Sequence, residues 1–216
     1  MITNVQTIDL KNVGIIKGKL NSQLLEIIKN EVNSIANDFS KARSWNKELA
    51  GHIRKEFLLE QCCDEVEKAA VNLAIDHNNK YDYINSLYSN LPGSRFRLKL
   101  ENLWVNFQER YEFNPLHRHR GLYSFVIWID IPYFFDFENS ISPGFKSTTN
   151  RSGYFEFVYT DILGNIRGEC IPADKAYEGD IVLFPSPLHH MVHPFYSTDK
   201  KRISIAGNLE AVTSDA

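Results

Sequence analysis

The chain has 216 residues, 43% of them hydrophobic and 12% aromatic, which is enough for one domain with a sizeable core. Its 24 Lys and Arg residues against 27 Asp and Glu residues give a net charge of -3, without the basic excess that a nucleic-acid partner usually requires. Its 11 Gly and 8 Pro residues are too few for a low-complexity chain.

Three cysteines, an adjacent pair and a remote one, cannot form a closed disulfide framework and lack zinc-finger spacing. This usage is typical of a reducing compartment. The sequence up to Lys19 has no apolar stretch of the signal-peptide type, and no later run reaches the roughly 18 apolar residues of a membrane span. We therefore expect a soluble, cytoplasmic protein without a membrane or nucleic-acid partner, either a monomer or a homodimer.

The first half of the chain has helical periodicity. Asn21 or Ser22 can cap a helix whose apolar residues recur at helical spacing as far as Phe39. A second helical pattern covers approximately residues 58–77, and the stretch 45–54 before it is predicted to be a loop.

The second half has many short strand patterns, which begin after a Leu-Pro-Gly turn at residues 91–93. Their apolar residues mostly alternate with polar ones, and they cover residues 96–100, 103–107, 123–131, 154–160, 166–171, 181–184 and 203–209. A change of apolar phase near Asn102 predicts a bend or bulge. The Asp-Ile-Leu-Gly-Asn sequence at residues 161–165 predicts a hairpin.

We expect a mostly β protein with some α-helix, in which a β-sandwich or jelly roll is braced by N-terminal helices. It should form a single domain over residues 1–216, with a helical support region at about 1–93 and a β core at about 94–210. The stretch 134–151, rich in Ser, Thr, Asn and Phe, is long for a connection. It is either a lid or binding loop, or an insertion without function.

Two short segments contain five of the seven histidines and form the strongest candidate site. In an extended segment, His117 and His119 project to the same face and could reach one metal ion. With one histidine of the second segment, His189, His190 or His193, they would make a three-point facial site that leaves metal positions free for substrate and dioxygen. A His-x-His pair alone is weak evidence, because histidines in turns are often exposed or hydrogen-bonded to the backbone.

A second candidate lies on the last predicted strand, where Arg202, Ser204, Ala206 and Asn208 share one face. An unpaired buried charge costs several kcal/mol, so a buried Arg202 would require an acidic ligand. A guanidinium binds a carboxylate as a fork, and the Ser204 hydroxyl could add a hydrogen bond. The alternative is a surface strand on which Arg202 faces water beside the two lysines at 200–201.

The order of these motifs resembles that of the 2-oxoglutarate- and iron(II)-dependent oxygenase superfamily, and more narrowly its prolyl-hydroxylase-like members from marine phages and bacteria. The resemblance rests on Asn-Pro-Leu-His-Arg-His at 114–119, Gly-Asp-Ile-Val-Leu-Phe-Pro-Ser at 179–186, His-Met-Val-His-Pro at 190–194 and Arg-Ile-Ser at 202–204. It covers roughly residues 104–209, half of the chain.

The resemblance implies a double-stranded β-helix, which is a jelly roll with supporting helices, and an oxidoreductase that uses Fe(II), 2-oxoglutarate and O2, with ascorbate as a candidate reductant. Carried over by motif, His117, His119 and His190 are the metal ligands, Arg202 binds the distal carboxylate of 2-oxoglutarate, and Ser204 assists it. Weaker assignments to the same pocket are Asn106, Gln108 and Asn208.

The expected reaction is hydroxylation of an unactivated C–H bond with release of succinate and CO2. The substrate is an unknown peptide or small molecule, and the family implies peptidyl proline as one candidate. If a phage encodes the chain, the reaction would take place in the host cytoplasm.

Two features depart from the common pattern of the family. The usual second ligand is Asp or Glu, and His119 in its place leaves an iron site one unit more positive, which should alter redox potential and affinity. Three histidines also compete for the distal position. His190 fits best, because the family places its ligand two residues before a valine such as Val192, and His189 is the next choice.

Two other functions stay open. A three-histidine site also suits a cupin-type dioxygenase that needs no 2-oxoglutarate, although the Arg-Ile-Ser motif argues against it. A non-catalytic jelly-roll module, such as a glycan-binding or virion protein, could present an aromatic surface made of Tyr133, Phe134, Phe135 and Phe137.

Overall fold

The computed structural model describes residues 3–8, 10, 12–88 and 96–213, and the turn predicted at 91–93 lies outside these ranges. Within them the chain forms ten strands and four α-helices. In chain order, these are Ile16–Lys19 (β1), Ser22–Asn37 (α1), Glu56–Leu58 (β2), Cys63–Tyr81 (α2), Tyr83–Tyr88 (α3), Phe96–Gln108 (β3), Asn114–His117 (β4), Tyr123–Asp130 (β5), Phe135–Ile141 (α4), Phe155–Thr160 (β6), Ile166–Ile171 (β7), Asp180–Pro185 (β8), His189–Val192 (β9) and Arg202–Thr213 (β10).

The strands form two antiparallel sheets. The larger has six strands in the order β1-β8-β5-β10-β3-β2, and the smaller has four in the order β4-β9-β6-β7. The sheets face each other, because Trp128 and Phe184 of the larger pack in one buried cluster with Phe155 and Phe157 of the smaller. This arrangement confirms the predicted jelly roll.

The central strands of the larger sheet are buried on both faces, and alternate residues serve different cores. On β5, Phe125 and Ile127 pack towards the helices, whereas Val126 and Trp128 pack towards the smaller sheet. β3 and β10 alternate in the same way, but the side chains that they turn inward include polar ones. This polar inner face lies where a site between the sheets can form.

Helix α1 begins at the predicted position, where the Asn21 side chain accepts a hydrogen bond from the backbone N–H of Leu24 at 2.8 Å. Its apolar side includes Ile28 and Val32, which are buried against the outer face of the larger sheet. The helix ends at Asn37, and the last apolar residue of the predicted pattern lies in a short 3₁₀ turn that follows.

Helix α2 is capped from another element. Its own N-cap residue, Cys62, makes no capping side-chain bond. The buried carboxylate of Glu31 on α1 instead accepts from the backbone N–H groups of Glu60, Gln61 and Cys62, at 2.7, 2.9 and 2.8 Å. The cap therefore fixes α1 and α2 to each other.

The prediction that the second helix begins near Leu58 is wrong. Glu56–Leu58 forms β2, which pairs with Trp104–Asn106 at the edge of the larger sheet. The N-terminal region also contributes β1 to the opposite edge, so it is not purely helical. A strand of three residues is too short to produce a period that distinguishes it from the first turn of a helix.

Two local predictions on the strands are confirmed. The register of β10 against β3 shifts after Asn208, which pairs with Asn102, because Leu209 pairs with Leu100 and leaves Glu101 as a bulge. The two strand patterns on either side are therefore one bent strand. β6 and β7 form the predicted hairpin.

No helix in the described part of the chain is both long and apolar enough to cross a membrane.

Candidate metal centre

Three histidines meet between the sheets. His117 ends β4 and lies opposite His190 of β9 in the register, and His119 follows two residues later. The ring centroids are 4.3 Å apart for His117 and His190 and 5.0 Å apart for each of the other two pairs. One nitrogen from each ring lies within 4.8 Å of the other two, so among the described residues these three side chains form a group that could hold a metal ion.

Backbone carbonyls fix the orientation of two of these rings. His117 Nδ1 lies 2.7 Å from the carbonyl oxygen of Pro115, and His190 Nδ1 lies 3.0 Å from that of Leu188. A carbonyl can only accept, so each Nδ1 bears the proton and each Nε2 retains a free lone pair. Backbone bonds of this kind are the usual support of histidine metal ligands.

All three rings are neutral at neutral pH. Burial lowers the pKa of His117 below its ordinary 6.5. Burial, and then the neighbouring His117, lower the pKa of His119 to about 4. Burial is also the main cause that holds the pKa of His190 well below 6.5. Neutral imidazoles are the form that binds metal, so the donor set fits a divalent transition-metal ion.

The other two histidines of the second segment lie elsewhere. His189 is the exposed neighbour on the same strand and stands outside the cluster. His193 Nε2 is 2.7 Å from Glu156 Oε2, and neither residue belongs to the cluster of three rings. The structure thus places His190 beside His117 and His119.

Arg202 is buried, with 3% of its surface exposed, and lines the cavity beside the histidines. Its Nε and Nη2 donate to Gln108 Oε1 at 2.9 and 2.6 Å. Nη1 donates to Tyr133 Oη and to the Gly153 carbonyl, both at 2.8 Å, and Nη2 donates to the His193 carbonyl at 3.2 Å.

All of these acceptors are neutral. The arginines that form ion pairs in the described chain are Arg54, Arg110, Arg151 and Arg167, so Arg202 keeps an unpaired positive charge. Neutral groups therefore already accept the hydrogen bonds of the guanidinium. What is missing is a negative charge.

The residues next to Arg202 differ in their relation to the cavity. Ser204 and Asn106 line it, and Asn106 Nδ2 is 3.4 Å from Ser204 Oγ. Asn106 Oδ1 is buried and has no hydrogen-bond partner among the residues that the structure describes. Gln108 lines it too and orients the guanidinium. Asn208 does not: it accepts from Ser124 Oγ at 2.8 Å and donates to Asn102 Oδ1 at 2.9 Å.

The loop before β2 covers the cavity with three apolar side chains, those of Leu49, Ala50 and Ile53. Gly51 lets the loop approach the smaller sheet, because a Cβ there would overlap Asn114 Oδ1. The sequence predicts the loop but not its position over the histidines. Gly51 is the signal that could have indicated a close backbone approach.

Tyr133 is a further residue that the sequence does not assign to the site. It is 3% exposed and hydrogen-bonded to Arg202, so it cannot belong to an exposed aromatic platform. Phe134 and Phe137 are exposed. No periodicity marks Tyr133, because it follows a strand and lies in irregular structure.

Comparison with known proteins agrees with this geometry. A family model of 2OG-Fe(II) oxygenases matches residues 102–208, about half of the chain. The fold is similar to that of a Pseudomonas putida prolyl-4-hydroxylase, at 16% identity and TM-score 0.54 over 91% of this chain and 92% of that one. It is also similar to AviO1 from Streptomyces viridochromogenes Tue57, at 12% identity and TM-score 0.56 over 95% and 94% of the two chains. No curated protein matches the sequence.

The jelly roll with three clustered histidines and a buried arginine is that of a non-haem iron oxygenase. The chain belongs to the 2-oxoglutarate- and iron(II)-dependent oxygenase superfamily and is an oxidoreductase by class. Its fold is the double-stranded β-helix, in the form found in the prolyl-4-hydroxylase named above. The cofactor and co-substrates of this superfamily are Fe(II), 2-oxoglutarate and O2.

Proposed function

We propose that the protein hydroxylates an unactivated C–H bond and couples this step to the conversion of 2-oxoglutarate and O2 to succinate and CO2. His117, His119 and His190 would hold iron(II), and Arg202 with Ser204 would hold the distal carboxylate of 2-oxoglutarate. When bound, the metal supplies the redox chemistry that activates O2.

The observation that carries the proposal is the unpaired charge of Arg202 in the cavity of the three histidines. A buried guanidinium without an anion is costly, and a carboxylate that enters the cavity would remove that cost. Carbonyl and amide oxygens hold the guanidinium in one orientation. A carboxylate can replace neutral acceptors with stronger charge-assisted bonds.

Other residues around the cavity would orient the histidine rings and shield the reacting groups from water. The carbonyls of Pro115 and Leu188 keep the Nε2 lone pairs of two histidines directed at one point. The apolar side chains of Leu49, Ala50 and Ile53 would limit the access of water to the reacting groups.

His119 distinguishes this site from the common pattern of the family. Three neutral imidazoles give a bound divalent ion a formal charge of +2, whereas two imidazoles and a carboxylate would give +1. Because the site also contains the positive charge of Arg202, we expect it to favour the dianionic form of the co-substrate strongly.

We further propose a prolyl-hydroxylase-like reaction on a peptide or small molecule. The support is the likeness in fold to the Pseudomonas putida enzyme. Because one fold serves many substrates, the substrate must be found by experiment.

The test is an anaerobic titration of the metal-free protein with iron(II) and then 2-oxoglutarate, monitored by the weak visible charge-transfer band of the iron–oxo-acid chelate. We expect the band in the wild type and in Arg167→Ala, a control that removes an exposed arginine on β7. In Arg202→Ala the band should be absent at the same concentration. Truncating one partner of a buried charged pair costs about 2–5 kcal/mol, which is roughly 30-fold or more in affinity.

Other outcomes favour other functions. If iron binds but no band forms at any concentration of 2-oxoglutarate, the three-histidine dioxygenase becomes the better assignment. If iron does not bind, the metal assignment is wrong and a non-catalytic jelly-roll module replaces it.

A further inference from the structure

Glu138 lies on α4, in the long insertion between β5 and β6, and its side chain is fully buried. Its carboxylate accepts from the hydroxyl of Ser152 and from the backbone N–H groups of Tyr196 and Ser197, the last two at 2.7 and 2.9 Å. A buried carboxylate with three donors is a strong anchor, because each charge-assisted bond is stronger than a neutral one.

The groups that Glu138 holds are chain neighbours of the groups around Arg202. Ser152 precedes Gly153, whose carbonyl accepts from Arg202 Nη1 at 2.8 Å. Tyr196 follows Phe195, whose ring centroid is 5.8 Å from the guanidinium carbon.

The two segments that contain these groups are also tied to each other. Gly153 donates its backbone N–H to the Pro194 carbonyl at 2.9 Å, and the preceding carbonyl, that of His193, accepts from Arg202 Nη2 at 3.2 Å. Glu138 thus bridges the two segments that surround one edge of the guanidinium. Gln108 of β3 holds the guanidinium from the other side, where its Oε1 accepts from Nε and Nη2.

We propose that Glu138 is a positioning residue for the co-substrate. It fixes the carbonyls of Gly153 and His193, and through them it sets the direction in which Arg202 presents its guanidinium to the distal carboxylate of 2-oxoglutarate. This inference rests on the proposed role of Arg202.

The inference gives the insertion a role that neither a lid nor a functionless loop would have. On its helix α4, Glu138 reaches inward to Ser152 and to the backbone at 196–197, while Phe134 and Phe137 remain exposed. A positioning role therefore predicts that changes at the buried side of α4 alter co-substrate binding, without a contact between α4 and the co-substrate.

The test compares Glu138→Gln with Glu31→Gln. Both remove the charge of a buried carboxylate that accepts from backbone N–H groups, but Glu31 caps α2 on the far side of the larger sheet. In Glu138→Gln, a side-chain N–H faces a backbone N–H, so the two segments must shift. We expect the Kd of 2-oxoglutarate, from the anaerobic charge-transfer titration, to rise about tenfold or more, while iron(II) affinity stays within about twofold.

We expect Glu31→Gln to lower the melting temperature by about as much as Glu138→Gln does. Its affinities for iron(II) and for 2-oxoglutarate should equal those of the wild type. Ser152→Ala, which removes one donor and keeps the carboxylate, should raise the Kd of 2-oxoglutarate by about threefold, and it carries the test if Glu138→Gln does not fold.

Several outcomes would overturn the inference. If 2-oxoglutarate binds Glu138→Gln and Ser152→Ala as it binds the wild type, while Arg202→Ala loses the band, Glu138 has no positioning role and the proposed function stands. Tighter binding in Glu138→Gln would also overturn it, because that is the result expected if the variant merely removes repulsion between the Glu138 carboxylate and the bound dianion. If Arg202→Ala keeps the band, the proposed co-substrate site itself is wrong.

Discussion

In two of the three clustered histidines, a hydrogen bond at Nδ1 decides which nitrogen is available to a metal. In His117 and His190 a carbonyl two residues earlier accepts from Nδ1, so both rings direct Nε2 to the cluster. His189, next to His190, cannot share the ion because successive residues of a strand point to opposite faces. The choice between these two neighbours is therefore a matter of strand geometry.

This geometry gives a prediction at the residue scale. His190→Ala should lower iron(II) affinity by about 100-fold or more, since changes to the outer shell of a metal site alone cost up to about 100-fold. His189→Ala is the matched control and should bind iron like the wild type, because its side chain is exposed and outside the cluster. Anaerobic equilibrium dialysis with metal analysis would measure both. Loss of iron in the His189 variant alone would reverse the assignment.

The contacts of Arg202 can be predicted from the sequence only in part. The sequence predicts that Arg202, Ser204, Ala206 and Asn208 share one face of β10, because alternation along a strand depends only on neighbouring residues. It cannot reveal that the acceptors of Arg202 include two backbone carbonyls, since every residue has a carbonyl and only the fold selects one. The role of Glu138 is hidden for the same reason.

At the scale of elements, periodicity predicts that both long helices exist, and the turn sequence at 161–165 predicts the hairpin. It fails for β2, because three residues provide no period and the strand is defined by its pairing with β3. The sequence likewise gives no indication of the cap of α2, because the capping side chain, Glu31, comes from another helix rather than from the N-cap position. Both failures involve contacts between residues that are distant in sequence.

Close packing in the larger sheet gives a prediction for β10. A Cβ on Gly207 would lie 2.5 Å from the ring of Phe125 and 3.0 Å from the carbonyl oxygen of Asn102. Gly207→Ala should therefore destabilise the protein by about 1–3 kcal/mol. The control is Gly18→Ala on β1, where a Cβ would meet Ile181 at an ordinary 3.5 Å, and the effect should be below about 1 kcal/mol. Equal midpoints of urea unfolding for the two variants would contradict this account.

At the scale of the whole molecule, buried titratable groups make stability depend on pH in opposite directions. Burial lowers the pKa of His77 below its ordinary 6.5. The unfolded chain therefore takes up a proton that the folded chain refuses, and stability falls as the pH drops below 6.5. His77 lies between Tyr123, at 3.0 Å, and the carbonyl of Gly14, at 2.8 Å, so it links the N-terminal segment to the core.

Glu56 acts in the opposite sense. It is 1% exposed, and its Oε2 accepts from Asn46 Nδ2 at 3.1 Å, while its Oε1 is buried without a partner in the described part of the chain. Burial, and then the nearby charge of Glu112, raise its pKa from 4.5 to about 7. Between these two values the folded protein retains a proton that the unfolded chain releases, so this contribution to stability decreases as the pH rises.

Replacing Glu56 with Gln should remove that decrease, because Gln keeps the shape and the bond to Asn46 but does not titrate. The free energy of unfolding of Glu56→Gln, relative to the wild type, should increase as the pH rises from 4.5 to about 7 and should level off above that. His77 is present in both proteins, so its contribution cancels in the difference. Urea unfolding at several pH values across and above this window would measure it. A difference that does not change with pH would mean that the pKa of Glu56 in the folded protein is not raised above its ordinary 4.5.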